Sequence, residues 1–138
     1  MDNLIFKKIW EDELLYEIRI KAITERITVF TDCYVNDETL VNMRNDIADF
    51  IINKQKEKIV AVGTFGDDSV SLIAIKLNQN RSGHILLDIK MELNDDSEPK
   101  HFCNFYLRTE TGMMERFIDS FKYLCESPVD TEISLLRE

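Results

Sequence analysis

Apolar and polar residues alternate along the N-terminal quarter of the chain. Between positions 14 and 20 every second residue is apolar, and a second alternation covers positions 27 to 35. A period of two is typical of a half-buried strand. Residues 24–26 provide a short polar reversal between the two runs, so the pattern predicts a hairpin. Residues 4–10 predict one further edge strand, in which Lys7 and Lys8 interrupt the alternation.

The periodicity changes to that of a helix after Asn36. This residue is a good N-cap, the acids that follow it suit the positive end of a helix dipole, and apolar residues then recur at steps of three and four. We expect this helix to end near Asn53, with Lys54, Lys56 and Lys58 at its negative end. A second helix is predicted over residues 114–125 and ended by Pro128, and the segment from Val129 onward has no clear pattern.

Four strand-like runs separate the two helical segments, at residues 59–65, 70–77, 84–93 and 101–108. Short polar connections join them, whereas parallel neighbours need a crossover of a dozen or more residues, so an antiparallel meander is expected. The sequence therefore predicts a single α+β domain over residues 1–138. Its sheet is largely antiparallel and rich in meanders, with six or seven strands and two helices packed on one face.

Composition and charge narrow the classes of partner. The chain has 138 residues, is 44% hydrophobic and 31% charged, and has a formal net charge of -9. An intrinsically disordered chain has less apolar surface than this. Nucleic acid and anionic membranes are disfavoured because Lys and Arg form no dense cluster. A basic protein partner fits the charge, as does a simple role in solubility, and the sequence sets no oligomeric state.

The N-terminus lacks the charged start and apolar core of a signal peptide, and no window of about 18 apolar residues follows, so we expect a cytoplasmic protein. Three cysteines occur at wide spacings. An odd count in that compartment predicts three free thiols, at least two of them protected by burial.

Catalytic and metal-binding residues are sparse. The chain has two histidines and no Gly-x-Ser-x-Gly motif. His101 and Cys103 lack the second ligand pair of a zinc site, and residues 94–98 lack the remaining positions of an EF-hand. We therefore predict no catalytic residue, no metal and no cofactor, and we expect a protein that is not an enzyme. The alternatives are a small enzyme that pairs a carboxylate with His84 or His101, and a purely structural or adaptor role.

An aromatic residue beside acids is a reasonable anchor for a basic partner. Trp10, the only tryptophan, immediately precedes an acidic triplet, and interface hot spots favour Trp and Tyr inside a polar rim. Packing of Trp10 in the core is the alternative. The predicted partner-binding residues are Trp10, Glu11, Asp12, Glu13, Tyr34, Asp95, Asp96 and Glu98.

Four segments carry a resemblance to a known group of proteins: Trp10-Glu11-Asp12, residues 17–20, Cys33-Tyr34-Val35, and residues 83–89. In this order they resemble small acidic bacterial immunity proteins of polymorphic toxin systems. The resemblance implies that the chain neutralises a toxin by binding it, with acids that face a basic nuclease site. It implies no catalytic motif.

Overall fold

The computed structural model describes residues 2–62, 73–93, 99 and 101–136. In these residues eight strands and three helices form. In chain order they are β1 (Asn3–Glu11), β2 (Tyr16–Ile23), β3 (Thr28–Val35), α1 (Asp37–Ile52), β4 (Glu57–Val62), β5 (Ile73–Gln79), β6 (His84–Glu92), β7 (Phe102–Glu110), α2 (Thr111–Asp119), α3 (Phe121–Glu126) and β8 (Glu132–Ser134). The α+β class and the antiparallel pairing expected from the sequence are confirmed. Residues 63–72 lie outside the described part; they include the end of the strand predicted at 59–65 and the start of the one predicted at 70–77.

The strands form two sheets, which corrects the prediction of one sheet with six or seven strands. The first has the order β3-β2-β1-β8 and the second the order β4-β5-β6-β7. Each is an antiparallel meander, apart from β8, which returns from the C-terminus to pair with β1. The division arises at α1, whose 16 residues advance the chain by about 24 Å, so that β4 begins a second sheet instead of extending the first.

The helices also differ from the prediction of two on one face. The second predicted helix is broken at Ser120 into α2 and α3. The hydroxyl of Ser120 donates to the carbonyl of Arg116 at 2.9 Å, a bond of the kind that bends helices. Apolar side chains of α1 and α2 meet residues from both sheets, including Phe6 of β1 and Leu77 of β5. The helices therefore pack against both sheets.

The core is continuous across both sheets and the helices. Its aromatic centre consists of Phe6, Phe117 and Phe121, with ring centroids 5.3 to 5.6 Å apart. In the second sheet the alternation expected from the sequence holds, because every second residue of β6 from Ile85 to Met91 is buried. No helix in the described ranges is long and apolar enough to cross a membrane.

Candidate protein-binding surface

The end of β1 and the turn that follows it carry three of the predicted acids, and Asp12 organises this turn. Its Oδ1 atom accepts hydrogen bonds from the backbone amides of Leu14 and Leu15, both at 2.9 Å. Its own amide donates to the carbonyl of Leu15. The two amides lower the pKa of the Asp12 carboxyl, because they stabilise its charged form. Leu14 is exposed in this turn and β2 begins at Tyr16, two residues later than the alternation indicates.

The same turn faces the N-terminus of α1 across a cleft of about 300 Å³. Two further acids, Asp37 and Glu38, lie in the first turn of that helix, where the helix dipole favours negative charge. The hydroxyl of Tyr16 donates to Asp37 at 2.9 Å and fixes one side of the cleft. We call this the acidic cleft; its acids are Glu11, Asp12, Glu13, Asp37 and Glu38.

A fully buried lysine lies behind the acidic cleft. Lys8 points inward from β1, and its Nζ atom lies 3.1 Å from Glu11, 2.8 Å from the carbonyl of Ser127 and 4.5 Å from the ring centroid of Tyr16. In the described part of the chain, Lys8 is the one cation that forms an ion pair with an acid of the cleft. Most of the negative charge therefore stays uncompensated and faces solvent.

Trp10 lies on the outer face of the first sheet and not in the core. The pairing of β1 with β2 shifts register between Lys8 and Trp10. A bulge of this kind changes the face on which a side chain lies, so Trp10 leaves the inward series of Leu4, Phe6 and Lys8. Its indole packs edge-on against Tyr34, with ring centroids 6.1 Å apart, and the two residues stay 43% and 41% exposed.

The outer face continues away from the cleft with two residues that the sequence did not single out. Arg19 forms a two-pronged ion pair with Asp32, at 2.9 and 3.2 Å, and its guanidinium lies 4.3 Å from the ring centroid of Phe30. Hydrogen bonding to Asp32 raises the pKa of Arg19. Phe30 is half-exposed. We call Trp10, Tyr34, Phe30 and Arg19 the aromatic strip.

Of the eight predicted partner-binding residues, Glu11, Asp12 and Glu13 border the acidic cleft, and Trp10 and Tyr34 contact each other on the outer face of the first sheet. Asp95, Asp96 and Glu98 lie outside the described residues. Asp37 and Glu38 join the cleft although the sequence indicated only a role at the helix dipole. The pairing of Tyr16 in β2 with Val35 in β3 brings the start of α1 next to the β1–β2 turn. This proximity depends on strand register, which the sequence pattern does not state.

The two histidines of the enzyme hypothesis lie at separate places in the fold, and the acids nearest to His101 in the sequence, Asp95, Asp96 and Glu98, are outside the described residues. His84 begins β6, and His101 precedes β7, which is antiparallel to β6, so the two histidines lie at opposite ends of the second sheet. Both are exposed. In the described ranges no three His, Cys, Asp or Glu side chains are placed to hold a metal ion.

Comparison with known proteins gives no match, whether to a protein-family model, to a curated protein or to a solved structure. The resemblance to immunity proteins therefore rests on the sequence segments alone.

Proposed function

We propose that this chain is a non-enzymatic protein-binding module, and specifically an immunity-type inhibitor that neutralises a basic toxin partner through an acidic surface. The observation that carries the proposal is that Trp10 and Tyr34 lie exposed side by side on the outer face of the first sheet, and that Trp10 directly precedes Glu11, one of the five acids that border the acidic cleft. Charge and aromatic area are then available to one partner at one place.

The two components have separate roles in the proposed complex. Uncompensated carboxylates attract a basic partner over a distance and mainly increase the association rate. Trp10 and Tyr34 expose large, rigid apolar surfaces, which contribute most when a partner excludes water from them and thereby slow dissociation. Arg19 adds a hydrogen-bond donor that Asp32 already holds in place.

Hydrogen bonds within the chain support this assignment because they hold the surface in one conformation before binding. Glu11 is held by Lys8, Asp37 by Tyr16, and Asp12 by two backbone amides. A surface ordered in advance loses less conformational entropy when the partner binds. Glu13 and Glu38 make no such internal bond in the described structure, so they can turn toward a partner cation.

The test is binding to the purified product of the neighbouring reading frame, the expected toxin. The informative variant is E13K combined with E38K, because neither side chain supports the fold through a described bond. A matched control is E25K combined with E115K, which makes the same change in net charge at exposed positions elsewhere. We expect the first pair to weaken affinity by about tenfold or more and the control to leave it nearly unchanged. Equal effects of both pairs would reject the acidic surface, and absence of any complex would reject the immunity role.

A further inference from the structure

A second cleft lies at the opposite end of α1 from the acidic cleft. It has a volume of about 800 Å³ and forms where the residues after α1, the β5–β6 turn and the start of α2 converge. Lys54 and Lys56 line it from the first segment and Arg81 from the second. We call these three residues and the space between them the basic cleft.

The cations of the basic cleft have no carboxylate partner in the described part of the chain. Among the described residues, five of the fifteen lysines and arginines form ion pairs, and Lys54, Lys56 and Arg81 are among the ten that form none. The only acid among the described lining residues is Glu57, and its carboxylate lies 3.3 Å from Lys76. Three unpaired cations thus converge in a chain whose net charge is -9.

Capping of α1 does not account for these lysines. Carbonyls in the last turn of the helix already have donors. The amide of Lys54 donates to the carbonyl of Ile51, and the amide of Gln55 donates to the carbonyl of Phe50. These two bonds form the pattern of a Schellman C-cap. The side chain of Gln79 also donates to Phe50, at 3.2 Å, and to Gln55, at 2.7 Å. The ammonium groups of Lys54 and Lys56 are not needed for these bonds.

The backbone of Lys54 is in a conformation that favours glycine. Its φ angle is 49°, at the position of the Schellman motif where Gly, or sometimes Asn, is usually found. A side chain in this left-handed region costs free energy. A lysine here sacrifices stability while it places a cation at the cleft, which is the kind of outlier that points to a function.

The turn that carries Arg81 is held rigidly against α2. The side chain of Asn80 accepts the amides of Ser82 and His84, at 2.9 and 3.1 Å. The carbonyl of Gly83 accepts both the amide and the hydroxyl of Thr111, at 3.1 and 3.0 Å. Gly83 itself has a φ of 80°, and a Cβ atom there would lie 3.2 Å from the Thr111 hydroxyl. The cleft therefore exists before any ligand binds.

We propose that the basic cleft binds a small anionic ligand that carries phosphate groups. Lys and Arg are the side chains that recognise phosphate by charge and by forked hydrogen bonds. The volume falls within the usual range for small-molecule sites. The site is independent of the proposed function, since the length of α1 separates it from the acidic cleft.

The experiment is a titration of the whole chain with inorganic pyrophosphate and with ATP, followed by calorimetry and by amide NMR shifts. We expect saturable shifts of the amide resonances of Lys54, Lys56, Arg81 and Gly83. The variant K54Q/K56Q/R81Q should lower the affinity for the probe by about tenfold or more. The control K21Q/R26Q/K122Q makes the same change in net charge and should keep the wild-type affinity. Pyrophosphate and ATP distinguish a site for phosphate alone from one that also holds a nucleoside.

A second variant, K54G, separates the ligand from the fold. Glycine relieves the left-handed backbone, so the melting temperature should not fall, while the loss of one cation should weaken pyrophosphate binding by several-fold. The proposal is overturned if neither probe shifts a residue of the cleft at about 10 mM, a concentration that fills most of a millimolar site. It is equally overturned if the control weakens binding as much as K54Q/K56Q/R81Q, or if only a polyglutamate peptide binds.

Discussion

The ammonium group of Lys8 lies 3.1 Å from the carboxylate of Glu11 and is completely buried. It also lies 2.8 Å from the carbonyl of Ser127 and 3.4 Å from that of Cys125, at the C-terminal end of α3. One interior cation therefore connects the acidic cleft to the segment that leads into β8. Its removal leaves two carbonyls and a carboxylate without their donor.

The variant K8M tests this connection. Methionine fills a similar volume but donates no hydrogen bond, so we expect the free energy of unfolding to fall by about 2 to 3 kcal/mol. Urea denaturation followed by circular dichroism measures it. The control is K7M, since Lys7 is partly exposed and lies 3.9 Å from a largely exposed Asp130, and an effect within about 0.5 kcal/mol is expected there. Equal losses in both variants contradict the account.

The stability of the protein should fall at alkaline pH, and Cys33 should account for part of the fall. Burial raises the pKa of the Cys33 thiol from 9.0 to about 12. Because the folded state holds this proton more tightly than the unfolded state, the contribution to stability is present below pH 9 and is lost as the pH rises toward 12. Burial also raises the pKa values of Tyr16 and Cys125, so their ionisation likewise lowers stability as the pH rises.

Between its unfolded and its folded pKa, each such group lowers the free energy of unfolding by up to about 1.4 kcal/mol per pH unit. Urea unfolding between pH 7 and pH 11 should show a decline that begins near pH 9 in the wild type. The decline should be shallower in C33A, whatever that substitution does to stability at pH 7. An identical slope in both proteins would show that Cys33 does not titrate differently in the folded and unfolded states.

The thiols should react at different rates in the native protein. The structure has three free cysteines; Cys33 is buried, whereas Cys103 and Cys125 are half-buried. The sequence predicts that at least two are protected by burial, and the structure buries Cys33 fully and the other two in part. Labelling with a maleimide, analysed by peptide mass, should modify Cys33 last by a wide margin. Labelling of Cys33 as fast as Cys103 would place it at the surface, against the structure.

The position of Lys54 allows a prediction about stability alone. Replacement by glycine removes the free-energy cost of a side chain at positive φ. Part of this gain is offset because glycine is more flexible in the unfolded chain, so the free energy of unfolding of K54G should rise by about 0.5 to 1 kcal/mol. K56G is the control, because Lys56 has no positive φ, and it should lose a similar amount. A loss of stability in K54G would mean that the left-handed backbone carries no strain.

Local patterns predicted the first helix and the buried faces of β2 and β6. The first helix begins after Asn36, whose side chain accepts the amide of Thr39 at 2.8 Å, and ends at Asn53 as expected. The capping residue and the spacing of apolar residues are both local, so the sequence states them directly. In the first sheet, Ile18 and Ile20 are buried on one face as the alternation required.

Long-range pairing was not predictable in the same way. The three residues of β8 acquire their partner only when β1 is in place, and nothing local marks them as a strand. Lys8 interrupts the apolar alternation of the sequence, yet its side chain belongs to the inward series. A lysine is buried only when other segments supply its acceptors, and these are not visible in the local pattern. The bulge that turns Trp10 outward likewise depends on the register of β2.

In the proposed complex the acidic cleft attracts a basic partner. The most direct measurement is the association rate of the chain with the neighbouring gene's product, by stopped flow, from about 50 to about 500 mM salt. We expect the wild-type rate to fall by about tenfold or more over this range, and the rate of E13K/E38K to start lower and fall less steeply. A wild-type rate that does not change with salt, or an E13K/E38K rate equal to it at every salt concentration, would contradict the claim.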